Sequence, residues 1–172
     1  MPAIHVCALS QIDATVAAIG ARSLVTLVNA DMPVRRPDAI APERHLTVIL
    51  SDIDTPLDGH ILADTGHVAA LLAFVHAWDK REPLLVHCFA GVSRSTAAAF
   101  IFACALDPIG AESGIAAQIR ALSPTATPNP RLVAIADALL ARNGRMIAAV
   151  EEIGRGADCF EGVPFALPVR AI

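Results

Sequence analysis

Runs of period two and runs of helical period alternate along this chain. Val6 to Leu9 is a short apolar run suited to a buried strand, and Ile12, Val16 and Ile19 then recur at helical spacing. Ser10 is placed to cap that helix and Gly20 to end it. Ser23 to Val28 reads as a second strand, and a stretch rich in proline and charge from Asp31 to Glu43 as a loop. His45 to Leu50 alternates as a third strand that runs into Asp52 and Asp54. Thr55 to Asp64 contains Pro56 and Gly59 and predicts a loop, after which Val68, Leu71, Leu72 and Val75 restore the helical period up to Trp78. Leu84 to Val86 predicts a buried strand that delivers the chain to His87 and Cys88, and the alanine-rich stretch Ser95 to Leu106 is helical by propensity. Three more helices are expected at 111–122, 130–142 and 144–153, with Asn129 as cap and Pro130 in the first helical position. From Gly154 onward the tail reads as irregular.

Strands alternating with helices predict an α/β protein with a central, mostly parallel, four- to five-stranded sheet flanked by helices. No repeat or linker interrupts the pattern, so residues 1–172 are read as one domain, a length that supports a full core. At 55 % hydrophobic residues, many of them alanine, disorder is excluded. The apolar run Ala97 to Leu106 is about half of what a bilayer-spanning helix requires. Met1 to Cys7 lacks the basic start and long apolar stretch of a secretory signal, so a cytoplasmic location and no membrane partner are expected. A formal charge of −4 and a pI near 5.8 argue against a nucleic-acid surface and require any phosphate recognition to be local. Cysteines at 7, 88, 104 and 159 are too dispersed for a zinc site or a disulfide scaffold and read as reduced thiols.

The chemistry concentrates in His87-Cys88-Phe89-Ala90-Gly91-Val92-Ser93-Arg94-Ser95-Thr96, where a thiol and a guanidinium stand at the two ends of a short loop that opens a helix. Successive backbone N–H groups there can form a nest around phosphate oxygens, and the helix dipole adds partial positive charge at the same point. Gly91 permits the backbone angles that a nest needs. Positive surroundings favour the thiolate of Cys88, the form that attacks phosphorus. Arg94 can hold two phosphoryl oxygens at once, a geometry lysine does not supply. Ser95 is placed to donate a hydrogen bond to the sulfur as it leaves, and His87, emerging on the opposite face of its strand, is expected to orient the loop from behind.

These residues resemble the His-Cys-x5-Arg-Ser/Thr signature loop of the cysteine-dependent tyrosine and dual-specificity phosphatases. Ser123 to Asn129 is similar to the Pro-Asn helix start that dual-specificity enzymes carry downstream of it, so the resemblance spans about residues 46–140. It implies a phosphotyrosine-phosphatase-like fold in a small single-domain member. It also implies hydrolysis of a phosphomonoester through a phosphocysteine intermediate, with a phosphoprotein or other phosphomonoester as substrate and phosphate or a similar oxyanion in the site. The family takes its general acid from an Asp after an earlier strand. Asp52, directly after the third strand, is the favoured residue and Asp54 the alternative.

Other residues fit bland roles. Cys104 is a core residue first and a resolving thiol for Cys88 second, while Trp78 belongs to a helix face. Asp58 and Asp64 read as turn and cap residues, and Arg35, Arg36, Arg120, Arg131 and Arg142 as a solvated face. The six histidines show no metal-ligand spacing, and neither metal nor cofactor is expected. A catalytically silent phosphate-binding module and a rhodanese-type sulfurtransferase are the competing readings; the phosphoinositide enzymes' lysines are absent from the loop.

Overall fold

A computed structural model of the chain describes residues 2–169. Five strands form one sheet: β1 (Ala3–Ala8), β2 (Ser23–Val28), β3 (His45–Ile49), β4 (Leu84–Cys88) and β5 (Phe165–Pro168), in the order β3-β2-β4-β1-β5. The first four are parallel, with Val6 opposite Val86, Val25 opposite Val86 and Val25 opposite Leu46, whereas β5 runs antiparallel to β1. Six α-helices accompany them: α1 (Ile12–Ile19), α2 (Thr65–Ala77), α3 (Arg94–Leu106), α4 (Glu112–Leu122), α5 (Pro130–Leu139) and α6 (Arg145–Ile153). No described helix is long and apolar enough to cross a membrane.

The pleat sorts side chains onto two unequal faces. Ile4, Val6, Val25, Leu27, Leu84 and Val86 point into the larger core under α2 to α6. Cys7, Leu24 and Leu85 point the other way, onto Ile12 and Val16 of α1 and Ile40 of the proline-rich loop. Parallel strands bury both faces, which explains why every residue of β2 and β4 is buried and most are apolar rather than alternating. α3 is buried on nearly every side, among α2, α4 and α5, and such a helix has no amphipathic stripe. Its alanines let the neighbouring helices approach closely, and Phe100 and Phe102 fill the remaining volume.

Three details depart from the sequence reading. The tail contains β5, a short edge strand whose Pro168 sits where no ladder N–H is required. Ser10 does not cap α1; it lies in a one-turn 3₁₀ helix and its hydroxyl donates to Glu161, while Gln11 precedes α1 and accepts from the Ala8 N–H. α5 ends at Leu139, because Ala141 and Asn143 take left-handed φ values of 52° and 54° and the Asp137 carboxylate caps α6 through the Gly144 and Met146 N–H groups. Asp64 caps α2 as expected, accepting from the His67 N–H.

The arginines are less solvated than expected. Arg142 is buried, ion-paired to Glu112 at 2.9 Å and bonded to the Cys104 carbonyl, while Arg120 donates to the carbonyls of Ala126, Ile153 and Gly154. Arg131 donates to the Ala63 carbonyl, Arg36 to that of Ile40, and only Arg35, paired with exposed Asp38, is a plain surface charge. Burial alone would raise the Glu112 carboxyl, but its own backbone N–H, Arg145 and Arg142 outweigh burial and hold it below the usual range. A depressed carboxyl stabilises the fold above its unfolded-state value, and that contribution disappears as pH falls through the folded-state value. Glu112→Gln is therefore expected to lower the urea midpoint at pH 7 and to lose less, relative to wild type, as the pH is taken below about 4. Paired urea titrations at several pH values check this.

Candidate active site

Because β1 to β4 are parallel, their carboxyl ends all meet one edge of the sheet, where open α/β folds place their ligands. Asn29 follows β2 directly, Leu50, Ser51 and Asp52 follow β3, and the loop from Cys88 to Arg94 joins β4 to α3. These segments enclose a cavity of about 520 Å³ lined by Asn29, Asp52, Cys88, Ser93 and Arg94 among others.

The loop is held from outside. Its carbonyls are taken by the scaffold: Phe89 O accepts from Leu9 N at 3.0 Å, Ala90 O from Gly162 N at 2.8 Å, Val92 O from Thr127 N at 2.9 Å, and Ser93 O from Ala97 N at 2.9 Å. The backbone N–H groups of residues 89–93 find no partner among the described residues. Carbonyls directed outward and N–H groups left over are the arrangement of an anion nest. Gly91 makes the curl possible, with φ at +71°. A methyl group there would stand 2.8 Å from the Cys7 carbonyl carbon and 2.9 Å from the Ala8 nitrogen.

Cys88 lies at the bottom, 2 % exposed, its Sγ 3.2 Å from the Ser95 hydroxyl. Arg94, 5 % exposed, is held by Nη1, which donates to Asn29 Oδ1 at 2.6 Å and to Leu50 O at 2.8 Å. Its Nε is buried and has no partner among the described residues. Leaving such a donor unmet costs about 1–3 kcal/mol, and at Arg94 the unmet donor belongs to a side chain that lines the cavity.

Asp52 is fixed above the loop. Its Oδ1 accepts from the Ser93 hydroxyl at 2.7 Å and from Asn129 Nδ2 at 2.9 Å. Asn129 accepts in turn from the Arg131 and Leu132 N–H groups, so one side chain both caps α5 and holds Asp52. Asp54 is exposed and does not line the cavity. The loop between them and α2 is pinched at its base, where Ser51 N donates to Ile61 O and Ile61 N to the Ser51 hydroxyl.

With this geometry in place, likeness to solved structures decides the fold. No family model and no curated protein matches the sequence. The crystal structure of DUSP15 superposes with a TM-score of 0.63 at 18 % identity, over 88 % of this chain and 92 % of that one. Human DUSP28 gives 0.62 at 16 % identity over 83 % and 95 %, and the PTP-2 phosphatase of Cydia pomonella 0.56 at 20 % over 78 % and 84 %. The chain has the fold of the cysteine-dependent dual-specificity and tyrosine phosphatases. That fold accounts for the central sheet, the helices on both faces and the position of the β4–α3 loop.

Within this phosphatase fold, His87 stands behind the loop on the α1 side of the sheet. Its Nδ1 is 3.1 Å from the Cys88 carbonyl and its Nε2 2.8 Å from the Thr26 hydroxyl, which also meets His45 Nε2 at 2.8 Å. Burial lowers the His87 pKa to about 4, so the ring is neutral at physiological pH. Neutrality fits a chain in which Nδ1–H donates to the Cys88 carbonyl and Nε2 accepts from Thr26. Cys7 and Cys104 are both buried, and burial pushes each thiol up to about 12. Neither is a thiolate near neutrality, which removes the readiness expected of a resolving partner.

Sequence reasoning did not find Asn29, the Ser93 contact to Asp52 or the approach of the tail, whose Cys159 joins the cavity wall. Asn29 had a signal: it is the polar residue that directly follows the buried strand β2, at the edge where the signature loop emerges. Two outcomes check the loop. Gly91→Ala is expected to lower stability by about 2 kcal/mol or more, since a left-handed φ and a backbone clash are combined, and to abolish phosphate protection in thermal melts. The His87 ring is expected to show no titration between pH 5.5 and 8 by NMR, and a midpoint in that range would contradict the buried relay.

Proposed function

We propose that the protein is a phosphomonoester hydrolase of the tyrosine or dual-specificity type, acting through a phosphocysteine intermediate. The observation that carries this reading is the cradle between Cys88 and Arg94: unclaimed N–H groups and a buried, unpaired Nε arranged around a thiol. A tetrahedral dianion satisfies all of these donors together, and the neutral or planar ligands of other chemistries do not.

The geometry supports two displacements. The Cys88 thiolate attacks phosphorus, and as the P–O bond to the leaving group breaks, protonated Asp52 gives its proton to the departing oxygen. Water then attacks the phosphocysteine, Asp52 takes a proton from it, the P–S bond breaks and the thiolate returns. Ser95, 3.2 Å from the sulfur, donates a hydrogen bond that eases this departure. Arg94 and the loop amides hold the charge of the phosphoryl oxygens in both steps. Asn29 and Leu50 are positioning groups that fix the guanidinium, and Ser93 and Asn129 do the same for Asp52. His87 fixes the Cys88 carbonyl from behind.

Hydrolysis of para-nitrophenyl phosphate in EDTA tests the reading. Wild type is expected to turn over and to be inhibited by vanadate and by peroxide, which oxidises the thiolate. Cys88→Ser is expected to be inactive, Asp52→Ala to lose about 10²–10⁴-fold in kcat, and Asp54→Ala to stay near wild type. A steep loss in Asp54→Ala with an active Asp52→Ala would reverse the assignment of the acid. A silent wild type would instead direct attention to phosphate binding without turnover, or to persulfide formation with thiosulfate.

A further inference from the structure

β2 lies between β3 and β4 and is apolar apart from Ser23 at its start and the fully buried Thr26 in its interior. The register places Thr26 opposite His87 on one side and Thr47 on the other, and the pleat puts His45, two residues before Thr47, on the same face. Three adjacent strands thus carry a row of polar side chains that leads from the nucleophile to the half-buried start of β3. The contacts along it are short. Thr26 Oγ1 lies 2.8 Å from His87 Nε2 and 2.8 Å from His45 Nε2, and His87 Nδ1 lies 3.1 Å from the Cys88 carbonyl oxygen. Thr47 Oγ1, at 3.4 Å from His45 Nε2, is a longer contact to one side of the row.

The hydrogens of this row follow from what each atom can donate. A carbonyl only accepts, so His87 Nδ1 carries a hydrogen. Burial disfavours the imidazolium form at both rings, and the cations that act on them, Arg36 on His45 and Arg94 on His87, work in the same direction. Arg44, next to His45 in sequence, is engaged by Asp79 and Glu82. A neutral His87 with hydrogen on Nδ1 has a bare Nε2, which takes the single hydroxyl hydrogen of Thr26. The Thr26 oxygen can then only accept from His45, so His45 Nε2 carries a hydrogen as well. The other neutral tautomer of His45 would set two lone pairs 2.8 Å apart.

We infer that His45 is a positioning residue for the nucleophile loop, acting through hydrogen bonds donated in one direction: from His45 Nε2 to Thr26, from Thr26 to His87, and from His87 Nδ1 to the Cys88 carbonyl. A hydroxyl rotates freely, and one that accepts from His45 keeps its own hydrogen for His87. The consequence lies in the Cys88–Phe89 peptide. With its carbonyl held back by His87, a trans unit turns its N–H the other way, toward the cradle. This inference deepens the phosphatase reading and rests on it for the catalytic consequence, whereas the order of the hydrogens rests on the geometry of the row.

Two measurements test it. Long-range 1H–15N spectra near neutral pH are expected to show His87 with its hydrogen on Nδ1 and His45 with its hydrogen on Nε2; the opposite tautomer at either ring overturns the inference. The second measurement compares side chains of equal reach, His45→Gln, which keeps a donor, and His45→Met, which has none, with thermal melts to verify folding. His45→Met is expected to bind inorganic phosphate about 2–10-fold more weakly than wild type in calorimetry and to lose a similar factor in kcat/KM on para-nitrophenyl phosphate, with His45→Gln near wild type in both. Thr26→Val, which removes the middle hydroxyl, is expected to lose at least as much and takes the place of His45→Met if that variant does not fold. Equal losses in His45→Gln and His45→Met, or none in either, overturn the positioning role. A wild type that binds phosphate but leaves the ester intact overturns the phosphatase reading alone, and the phosphate affinities still decide the role of His45. A wild type that binds no phosphate overturns that role together with the cradle.

Discussion

The site depends on how closely the β4–α3 loop folds back against β1. At Gly91 the backbone passes so near to Cys7 and Ala8 that no side chain fits, and the positive φ there turns the loop so that its carbonyls meet the scaffold. Leu9, Thr127 and Gly162 each donate to one of them. A peptide whose carbonyl is held outward presents its N–H on the other side, so the same bonds that fasten the loop prepare the nest. Preorganisation of this kind has no reorganisation cost when an anion arrives.

Arg94 extends the same logic. A guanidinium at 5 % exposure is costly unless its donors are met, and here one nitrogen is met by Asn29 and Leu50 while Nε is not. The met contacts set the direction of the unmet one. Partial satisfaction therefore leaves one buried donor of the folded state without a partner among the described residues. Opposite the guanidinium, Asp52 is held by the hydroxyl of Ser93, a loop residue, and by Asn129, a helix cap. The loop and Asp52 are thus linked mechanically: a shift of the loop moves both.

What was legible in the chain is what is written locally. Strand and helix periods place β1 to β4 and all six helices to within a few residues, and the contiguous run from His87 to Thr96 carries thiol, glycine, guanidinium and helix start in one segment. The α/β class follows from the alternation of elements, and the pleat alone puts His87 on the face opposite Cys88. Asn129 and Asp64 were legible as caps because capping is a property of neighbours in sequence.

Tertiary structure decided whatever required segments far apart in sequence to meet. Only the sheet order brings Asn29 to Arg94, and only the packing of α5 beside the loop brings Asn129 to Asp52 and so separates it from Asp54. Arg120 and Arg142 read as surface charges because sequence records a charge but not the carbonyls that surround it. β5 and the tail escaped notice for a related reason. A four-residue edge strand with a proline has almost no period, and its existence depends on the free edge of β1 that it covers. The loop from Cys88 to Arg94 is therefore a local property of this sequence, whereas the cavity around it is completed by distant segments, Asn29, Asp52 and Cys159 among them, that only the fold brings together.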